Sequence, residues 1–178
     1  MMAKRYPIVL FDWGDTLMVD VPGASTPMYE WPDVRAVDGA VGLLQYLKAS
    51  DRRVMLVTNA RASDEAQIRA ALARVGLDAL VERIYCFKNT GLPKAAALYH
   101  FILRSLSANP EQVMMIGDSL ENDVQAASEC GIHAIWFNPL GQSSAADARF
   151  TSVHTHQALS AHFQNLDRES PSEAVPRD

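Results

Sequence analysis

Three observations predict that this sequence folds as a single doubly wound α/β domain, with a mostly parallel sheet and helices on both faces. Short runs rich in Val, Ile and aromatic residues alternate with longer segments of helical period, which is typical of parallel βαβ units. The strand candidates are apolar at nearly every position, as expected for strands covered on both faces. With 178 residues, 48% of them hydrophobic, the chain is long enough for one well-packed core and short for two.

The strands and helices can be placed from their patterns. The predicted strands read PIVLF (7–11), RVMLVT (53–58), RIYCF (83–87), QVMMIG (112–117) and HAIWF (133–137), with FTSVH (150–154) as the candidate for a sixth. Between them, apolar residues three and four positions apart predict amphipathic helices. These segments read VGLLQYLKAS (41–50), SDEAQIRAALARVG (63–76), KAAALYHFILRSL (94–106) and ENDVQAASECG (121–131).

Two segments depart from this alternation. Residues 19–38 contain three prolines and no sustained period, which predicts an ordered flap that is too short to be another domain. Residues 165–178, which read NLDRESPSEAVPRD, are polar, charged and Pro-containing, which predicts a disordered tail. We therefore expect one core over residues 1–164, with the flap inserted in it, followed by the tail.

Composition argues against several classes of partner. The formal net charge is -5, and lysine and arginine are spread thinly, so neither nucleic acid nor an anionic membrane is an expected partner. No apolar window is long enough to span a bilayer, and the N-terminal run is too short for a signal peptide. Cys86 and Cys130 are expected to be free, buried thiols, and the histidines, including His154 and His156 in HTH, show no metal-ligand spacing. These features predict a soluble cytoplasmic protein.

Polar side chains follow the predicted strands, at the edge where ligands collect in an open α/β sheet. They are Asp12, Asp15 and Thr16 after the first strand, Thr58 and Asn59 after the second, and Asp118 and Asp123 after the fourth, with Lys94 at the start of the third helix. Carboxylates that lie close together repel one another unless a hard cation intervenes, and Mg²⁺ suits a few carboxylates and a phosphate. Lys94 and the Thr58 hydroxyl could then hold the remaining phosphoryl oxygens.

Four motifs in this order, FDWGDTL, VTNA, a helix-starting lysine and GDSLENDV, resemble the motifs of the haloacid dehalogenase superfamily of hydrolases, most of which are Mg²⁺-dependent phosphatases. The resemblance runs from about Tyr6 to Phe137, and AVDGAVGLLQYLKA before the second strand adds to it. It implies a Rossmann-like core in which the first strand lies between the second and the fourth. The spacing leaves room for the flap but not for a large cap domain, so the resemblance is to capless members with an open site.

The resemblance also implies roles for individual residues. Asp12 would be the nucleophile that attacks phosphorus and forms an aspartyl-phosphate. Mg²⁺ would be bound by the side chains of Asp12 and Asp118 and the backbone carbonyl of Gly14, with support from Asp123. Thr58, with help from the backbone near Asn59, would bind a phosphoryl oxygen, and Lys94 would neutralise the charge of the nucleophile and of the phosphoryl group.

Position 14 departs from the family pattern. The phosphatases of this family usually have a second Asp there, which protonates the leaving oxygen and then activates water. Here the residue is Gly14, and Asp15 stands where glycine is usual. Two interpretations remain open: a locally altered turn brings the Asp15 carboxylate into the site, or the protein lacks its own acid/base and is slow or silent.

The function expected on this resemblance is that of a Mg²⁺-dependent phosphatase, acting on a phosphorylated small molecule or on a larger phosphorylated substrate. By analogy with capless members, a homo-oligomer could close the open site. One alternative is a catalytically weak protein that binds a phosphorylated ligand or a protein partner. Another is a phosphonatase-like hydrolase, since phosphonoacetaldehyde hydrolases read Asp-Trp-Ala-Gly-Thr at the first motif.

Overall fold

The computed structural model describes residues 4–143 and 149–169, which contain a six-stranded parallel sheet. The strand order is β3-β2-β1-β4-β5-β6, with every neighbouring pair parallel. The strands are β1 (Ile8–Phe11), β2 (Arg53–Val57), β3 (Arg83–Tyr85), β4 (Val113–Gly117), β5 (His133–Phe137) and β6 (Thr151–Val153). All six predicted strands are confirmed, as is the doubly wound, Rossmann-like fold class.

Helices cover both faces of the sheet. They are α1 (Ala40–Ala49), α2 (Glu65–Ala73), α3 (Phe87–Thr90), α4 (Ala96–Leu106), α5 (Ala126–Glu129) and α6 (His156–Glu169). A π-helical turn, Leu120–Gln125, leads directly into α5. The four predicted helices are thus present, although α4 begins two residues after Lys94, because Ala95 before it has an extended backbone.

Alternate strand residues feed two separate cores, one on each face of the sheet. Val9 and Phe11 of β1 pack on one face with the apolar sides of α1, α2 and α6, whereas Ile8 and Leu10 pack on the other with α4 and α5. Successive side chains of a strand point to opposite faces, so burial on both faces requires apolar residues at every position. This explains why the strands read as continuous apolar runs, and it leaves polar groups to the strand ends.

The order of the strands fixes where a ligand can bind. β1 lies between β2 and β4, as the family resemblance implies, and the chain leaves β1 to build the sheet first on one side and then on the other. Such a switch point opens a crevice at the carboxyl ends of the strands. Residues that follow β1, β2 and β4 are therefore brought together at that crevice.

The flap, residues 19–38, lies in the segment between β1 and α1. It contains one short 3-10 helix, Met28–Glu30, and is attached to the domain by Arg74, whose guanidinium donates hydrogen bonds to the carbonyl oxygens of Trp31 and Pro32, both at 2.7 Å. Backbone bridges also join Met18 to Gly14 and Ala36. Within the described residues there is no large cap domain at this insertion.

The prediction of a disordered tail from residue 165 is wrong for residues 165–169, which belong to α6. The physical reason is a distant partner: Asp167 accepts hydrogen bonds from the buried guanidinium of Arg52 at 2.7 and 3.1 Å and from the Tyr46 hydroxyl at 2.7 Å. Leu166 is also buried. Residues 170–178 of that predicted tail lie outside the described residues.

Both cysteines and one histidine lie in the interior of the domain. Cys86 and Cys130 are free and buried, as expected. His156 opens α6 and is fully buried, with its ring 4.6 Å from that of Phe137. Its burial lowers the pKa of the imidazole to about 4. In the part of the chain that is described, no helix is long and apolar enough to cross a membrane.

Candidate active site

Asp12 is the first residue after β1, at the centre of the sheet edge. Its backbone N–H donates to the carbonyl oxygen of Ile116 in β4 at 3.0 Å, which continues the sheet pairing by one residue. The backbone N–H groups of Leu17 and Met18 then both donate to the carbonyl oxygen of Trp13, so the chain turns back tightly. The Asp12 side chain is thereby held at the crevice, although it is only 9% exposed.

Three carboxylates meet at this point. Asp12, Asp118 and Asp123 each offer an oxygen atom, and these atoms lie within 4.8 Å of one another. Burial, followed by the negative charge of Asp12, raises the pKa of Asp118 to about 7. The raised pKa of Asp118 means that ionisation of its carboxyl group beside Asp12 is unfavourable unless a further positive charge is bound. An all-oxygen donor set whose charge calls for a hard cation fits Mg²⁺, so Asp12 and Asp118 are suited to hold it.

Lys94 is the cation already built into the cluster. Its Nζ, buried at the site, donates a hydrogen bond to Oδ1 of Asp12 and another, at 2.6 Å, to Oδ1 of Asp123. Burial alone would lower the pKa of the Lys94 ammonium, but the two carboxylates outweigh it and the pKa is raised. Lys94 is therefore a fixed positive charge that holds the oxygen of Asp12 in place.

Asp123 is fully buried and supports the cluster from beneath. Besides the ion pair with Lys94, its Oδ2 accepts a hydrogen bond at 2.9 Å from the backbone N–H of Ser119. Burial raises its pKa to about 6, and the charge of Lys94 opposes that rise. The Asp123 carboxylate packs directly over Gly117, where a Cβ atom would lie 2.1 Å from Oδ2. Only glycine fits at position 117, a requirement that the sequence reasoning missed.

Thr58 and Asn59 follow β2 on the other side of Asp12. The Thr58 hydroxyl is buried and accepts a hydrogen bond from the backbone N–H of Ala60 at 3.1 Å. The Asn59 side chain instead serves the lysine, because its Oδ1 accepts a hydrogen bond from the backbone N–H of Lys94 at 3.0 Å. Asn59 thus ties the end of β2 to the loop before α4, which positions Lys94 against Asp12.

A cavity of ≈ 500 Å³ opens above these residues. Its floor contains Asp12, Thr58 and Asp118, and the flap supplies one wall, including Asp20 and Trp31. Gly14, Asn59 and Arg61 are further lining residues, whereas the buried Lys94 and Asp123 do not line the cavity. Sequence reasoning did not single out Arg61 or Asp20, since neither falls directly at a strand end.

Asp15 occupies a turn position at the rim of the cavity. Its backbone lies in the left-handed region, with φ 52°, and its carboxylate Oδ1 accepts a hydrogen bond from the backbone N–H of Asp20 at 2.9 Å. Its own N–H donates to the carbonyl oxygen of Met18 at 2.7 Å. An Asp side chain that binds nearby backbone in this way typically stabilises a turn. These contacts favour the turn-stabilising interpretation of Asp15 over the catalytic one.

A crevice at the switch point of a parallel sheet, with three carboxylates, a buried lysine and a threonine, is the kind of site that handles an anionic group with a divalent metal. A model of the haloacid dehalogenase-like hydrolase family matches residues 28–131, more than half of the chain, so the chain belongs to that family. Thr58, Lys94, Asp118 and Asp123 lie within the matched segment, and Asp12 precedes it.

Individual relatives are similar to parts of the chain. It is 28% identical over 161 residues to pyrimidine 5'-nucleotidase PynA of Streptococcus pneumoniae, which covers 89% of this chain and 58% of that protein. It is 29% identical over 90 residues to ribulose-1,5-bisphosphate 5-phosphatase of Halopiger xanaduensis, which covers 50% of this chain and 38% of that protein. The chain thus spans about half the length of these curated relatives.

A solved structure shares the fold along nearly its whole length. It is the crystal structure of an uncharacterized protein from Listeria monocytogenes serotype 4b, with a TM-score of 0.74 and 23% sequence identity. The similarity covers 90% of this chain and 98% of that chain. At this level of identity the comparison confirms the fold of a core without a large cap.

Proposed function

We propose that this protein is a Mg²⁺-dependent phosphatase that hydrolyses phosphomonoesters through an aspartyl-phosphate on Asp12. The observation that carries the proposal is the contact of the Lys94 ammonium with both Asp12 and Asp123, inside a cluster of three carboxylates at the switch point. Two curated relatives are a nucleotidase and a sugar bisphosphate phosphatase by name, which supports the same class of reaction.

In this proposal, Asp12 acts as the nucleophile. It lines the floor of the cavity, so a phosphoryl group bound there meets its carboxylate directly. The hydrogen bond from Lys94 fixes one carboxylate oxygen and orients the group, which shortens the search for an attacking geometry. Attack forms a bond between an Asp12 oxygen and phosphorus while the bond from phosphorus to the ester oxygen breaks.

Other groups of the site would stabilise the charge of the phosphoryl oxygens. Thr58 lies on the cavity floor, where its hydroxyl can donate to one of these oxygens while still accepting from Ala60. Bound by Asp12, Asp118 and the Gly14 carbonyl, Mg²⁺ would neutralise negative charge on the cluster and on the transferring group. Asp123 positions Lys94 by accepting a hydrogen bond from its Nζ, and Asn59 by accepting one from its backbone N–H.

The open wall of the cavity suits a substrate that projects from its phosphate into solvent. The flap and Arg61 border this opening, so the substrate is expected to be a phosphorylated small molecule or a larger phosphorylated molecule that reaches in. A second copy of the chain that covers the opening belongs to the same proposal, as expected by analogy with capless members.

The test is phosphate release in the presence and absence of Mg²⁺, from a panel of phosphomonoesters and from acetyl phosphate. The wild type should turn over at least one of them only when Mg²⁺ is present, and Asp12→Asn should abolish this turnover. Asp33→Asn is the matched control, because Asp33 is an exposed aspartate of the flap that does not line the ≈ 500 Å³ cavity. Turnover that survives Asp12→Asn, or tight phosphate binding with no turnover of any substrate, would contradict the proposal.

A further inference from the structure

The space beside Gly14 is filled by a carboxylate from elsewhere in the chain. A Cβ atom built on Gly14 would lie 3.2 Å from Oδ2 of Asp20, 3.5 Å from its Cβ and 3.6 Å from its Cγ. Gly14 does not have a positive φ, so the backbone conformation at position 14 does not require glycine. Its lack of a side chain instead leaves room for the carboxylate of Asp20.

Asp20 is held in this position by the fold of the loop. Its backbone N–H donates to Oδ1 of Asp15 at 2.9 Å, which ties the start of the flap to the turn after β1. Its own Oδ1 accepts from the backbone N–H of Val21 at 2.8 Å, which orients the carboxylate. The preceding residue, Val19, donates its N–H to the carbonyl oxygen of Arg35 at 2.9 Å. Asp15 is thus a positioning residue for Asp20.

Asp20 also shares the cavity with the proposed nucleophile. Asp12, Gly14, Asp20 and Thr58 all line the same ≈ 500 Å³ space. Asp20 is exposed, so its carboxylate is open to solvent where it lines the cavity. Asp12 and Asp118 follow β1 and β4, whereas Asp20 belongs to the flap, which lines the same cavity.

We propose that Asp20 is the general acid and base of the reaction, and that Gly14 is what gives it access to the site. This inference rests on the proposed phosphatase function. In the first step, protonated Asp20 gives its proton to the ester oxygen as that oxygen leaves phosphorus and the Asp12 carboxylate bonds to phosphorus. In the second, the Asp20 carboxylate takes a proton from water as the water oxygen bonds to phosphorus and the bond from phosphorus to the Asp12 oxygen breaks, which releases inorganic phosphate and restores both aspartates.

The leaving group separates this role from a structural one. An alkyl phosphate releases an alkoxide that needs a proton, whereas acetyl phosphate releases acetate, which does not. Asp20→Asn should lower kcat/KM for an alkyl phosphate by about 10²–10⁴-fold and that for acetyl phosphate by much less. In the same variant, the aspartyl-phosphate formed from acetyl phosphate should accumulate, because the base of the second step is missing. Asp33→Asn should change neither the ratio of the two values nor the accumulation.

Relocation of the carboxylate provides a second readout. In an Asp20→Ala background, Gly14→Asp puts a new carboxylate into the space that the Asp20 carboxylate filled. The backbone at position 14 is not strained by this change, because its φ is not positive. The kcat/KM of this double variant for the alkyl phosphate should be at least about tenfold higher than that of Asp20→Ala. If the folded double variant regains no activity, a carboxylate in this space does not transfer the proton, and the assignment of Asp20 is overturned.

The outcomes are distinct from failure of the proposed function. If the wild type hydrolyses neither substrate, the phosphatase proposal falls, and this inference falls with it. If the wild type hydrolyses both and Asp20→Asn leaves the ratio of kcat/KM values unchanged, only the assignment of Asp20 is overturned. A ratio that changes in Asp15→Asn but not in Asp20→Asn would give the proton transfer to Asp15, and would equally overturn it.

Discussion

Gly117→Ala removes the one feature of β4 that lets Asp123 reach the lysine. The new Cβ would lie 2.1 Å from Oδ2, 2.3 Å from Cγ and 2.7 Å from Cβ of Asp123, all inside the 3.0 Å limit for real Cβ contacts. Since the carboxylate must move by roughly 1 Å in a packed interior, its bonds to Lys94 at 2.6 Å and to the Ser119 N–H at 2.9 Å cannot both survive.

The cost follows from what these bonds hold. Breaking a fully buried ion pair costs about 3–5 kcal/mol, and a buried donor left without a partner costs about 1–3 kcal/mol. These terms overlap, so we expect Gly117→Ala to lower the free energy of unfolding by about 3–5 kcal/mol. If Lys94 moves by roughly 1 Å together with the Asp123 carboxylate, kcat/KM should also fall about 10²-fold.

Urea unfolding and phosphate release measure the two effects. Gly42→Ala is the matched control, because Gly42 is an exposed position in α1 where a Cβ would meet no atom within 4 Å. This control should raise stability by about 0.5–1 kcal/mol, as alanine does in an exposed helix interior. A loss below about 1 kcal/mol for Gly117→Ala, with unchanged kcat/KM, would refute the reasoning about Asp123.

Three further predictions concern charge and stability. Asp167→Asn removes the carboxylate that pairs with the fully buried guanidinium of Arg52, so it should lower the free energy of unfolding in urea at pH 7 by about 2 kcal/mol. Because Arg52 holds the pKa of Asp167 well below its usual range, this difference should fade as the pH falls below about 4. The pKa of buried His156, lowered from 6.5 to about 4, predicts that stability falls by about 2–3 kcal/mol as the pH drops from 6.5 to 4 and the unfolded chain takes up a proton, and His156→Gln should flatten that part of the profile. The pKa of Asp118, raised to about 7, predicts that stability without metal declines as the pH rises from 4 through 7. At pH 8, Asp118→Asn should therefore unfold at a higher temperature than the wild type, whereas Mg²⁺ should raise the Tm of the wild type only. Equal responses of the two proteins to Mg²⁺ would contradict the assignment of Asp118 as a metal ligand.

The fold and most of the cluster could be predicted because they follow from local pattern. The continuous apolar runs of the strands reflect burial on both faces, and parallel strands bring the residues that follow them to one edge. Asp12, Asp118 and Asp123 were therefore expected to meet, and they do, within 4.8 Å. Lys94 was placed correctly at the cluster, although it precedes its helix instead of beginning it.

What could not be predicted depends on contacts between distant residues. The end of α6 is held by Arg52, more than a hundred positions away, so the polar composition of residues 165–169 gave a false indication of disorder. The requirement for glycine at position 117 comes from the path of the Asp123 side chain. Asp20 was missed because it lies in a Pro-containing flap, where no periodicity indicates which way a side chain points.

The measurement that tests the central claim most directly is identification of the phosphorylated residue after rapid acid quenching. Enzyme mixed with Mg²⁺ and acetyl phosphate should carry one phosphoryl group on the peptide that contains Asp12, and the label should be lost on treatment with hydroxylamine, as an acyl phosphate is. Asp12→Asn should carry none. A label on another residue, or turnover with no label even in Asp20→Asn, would contradict a reaction that passes through Asp12.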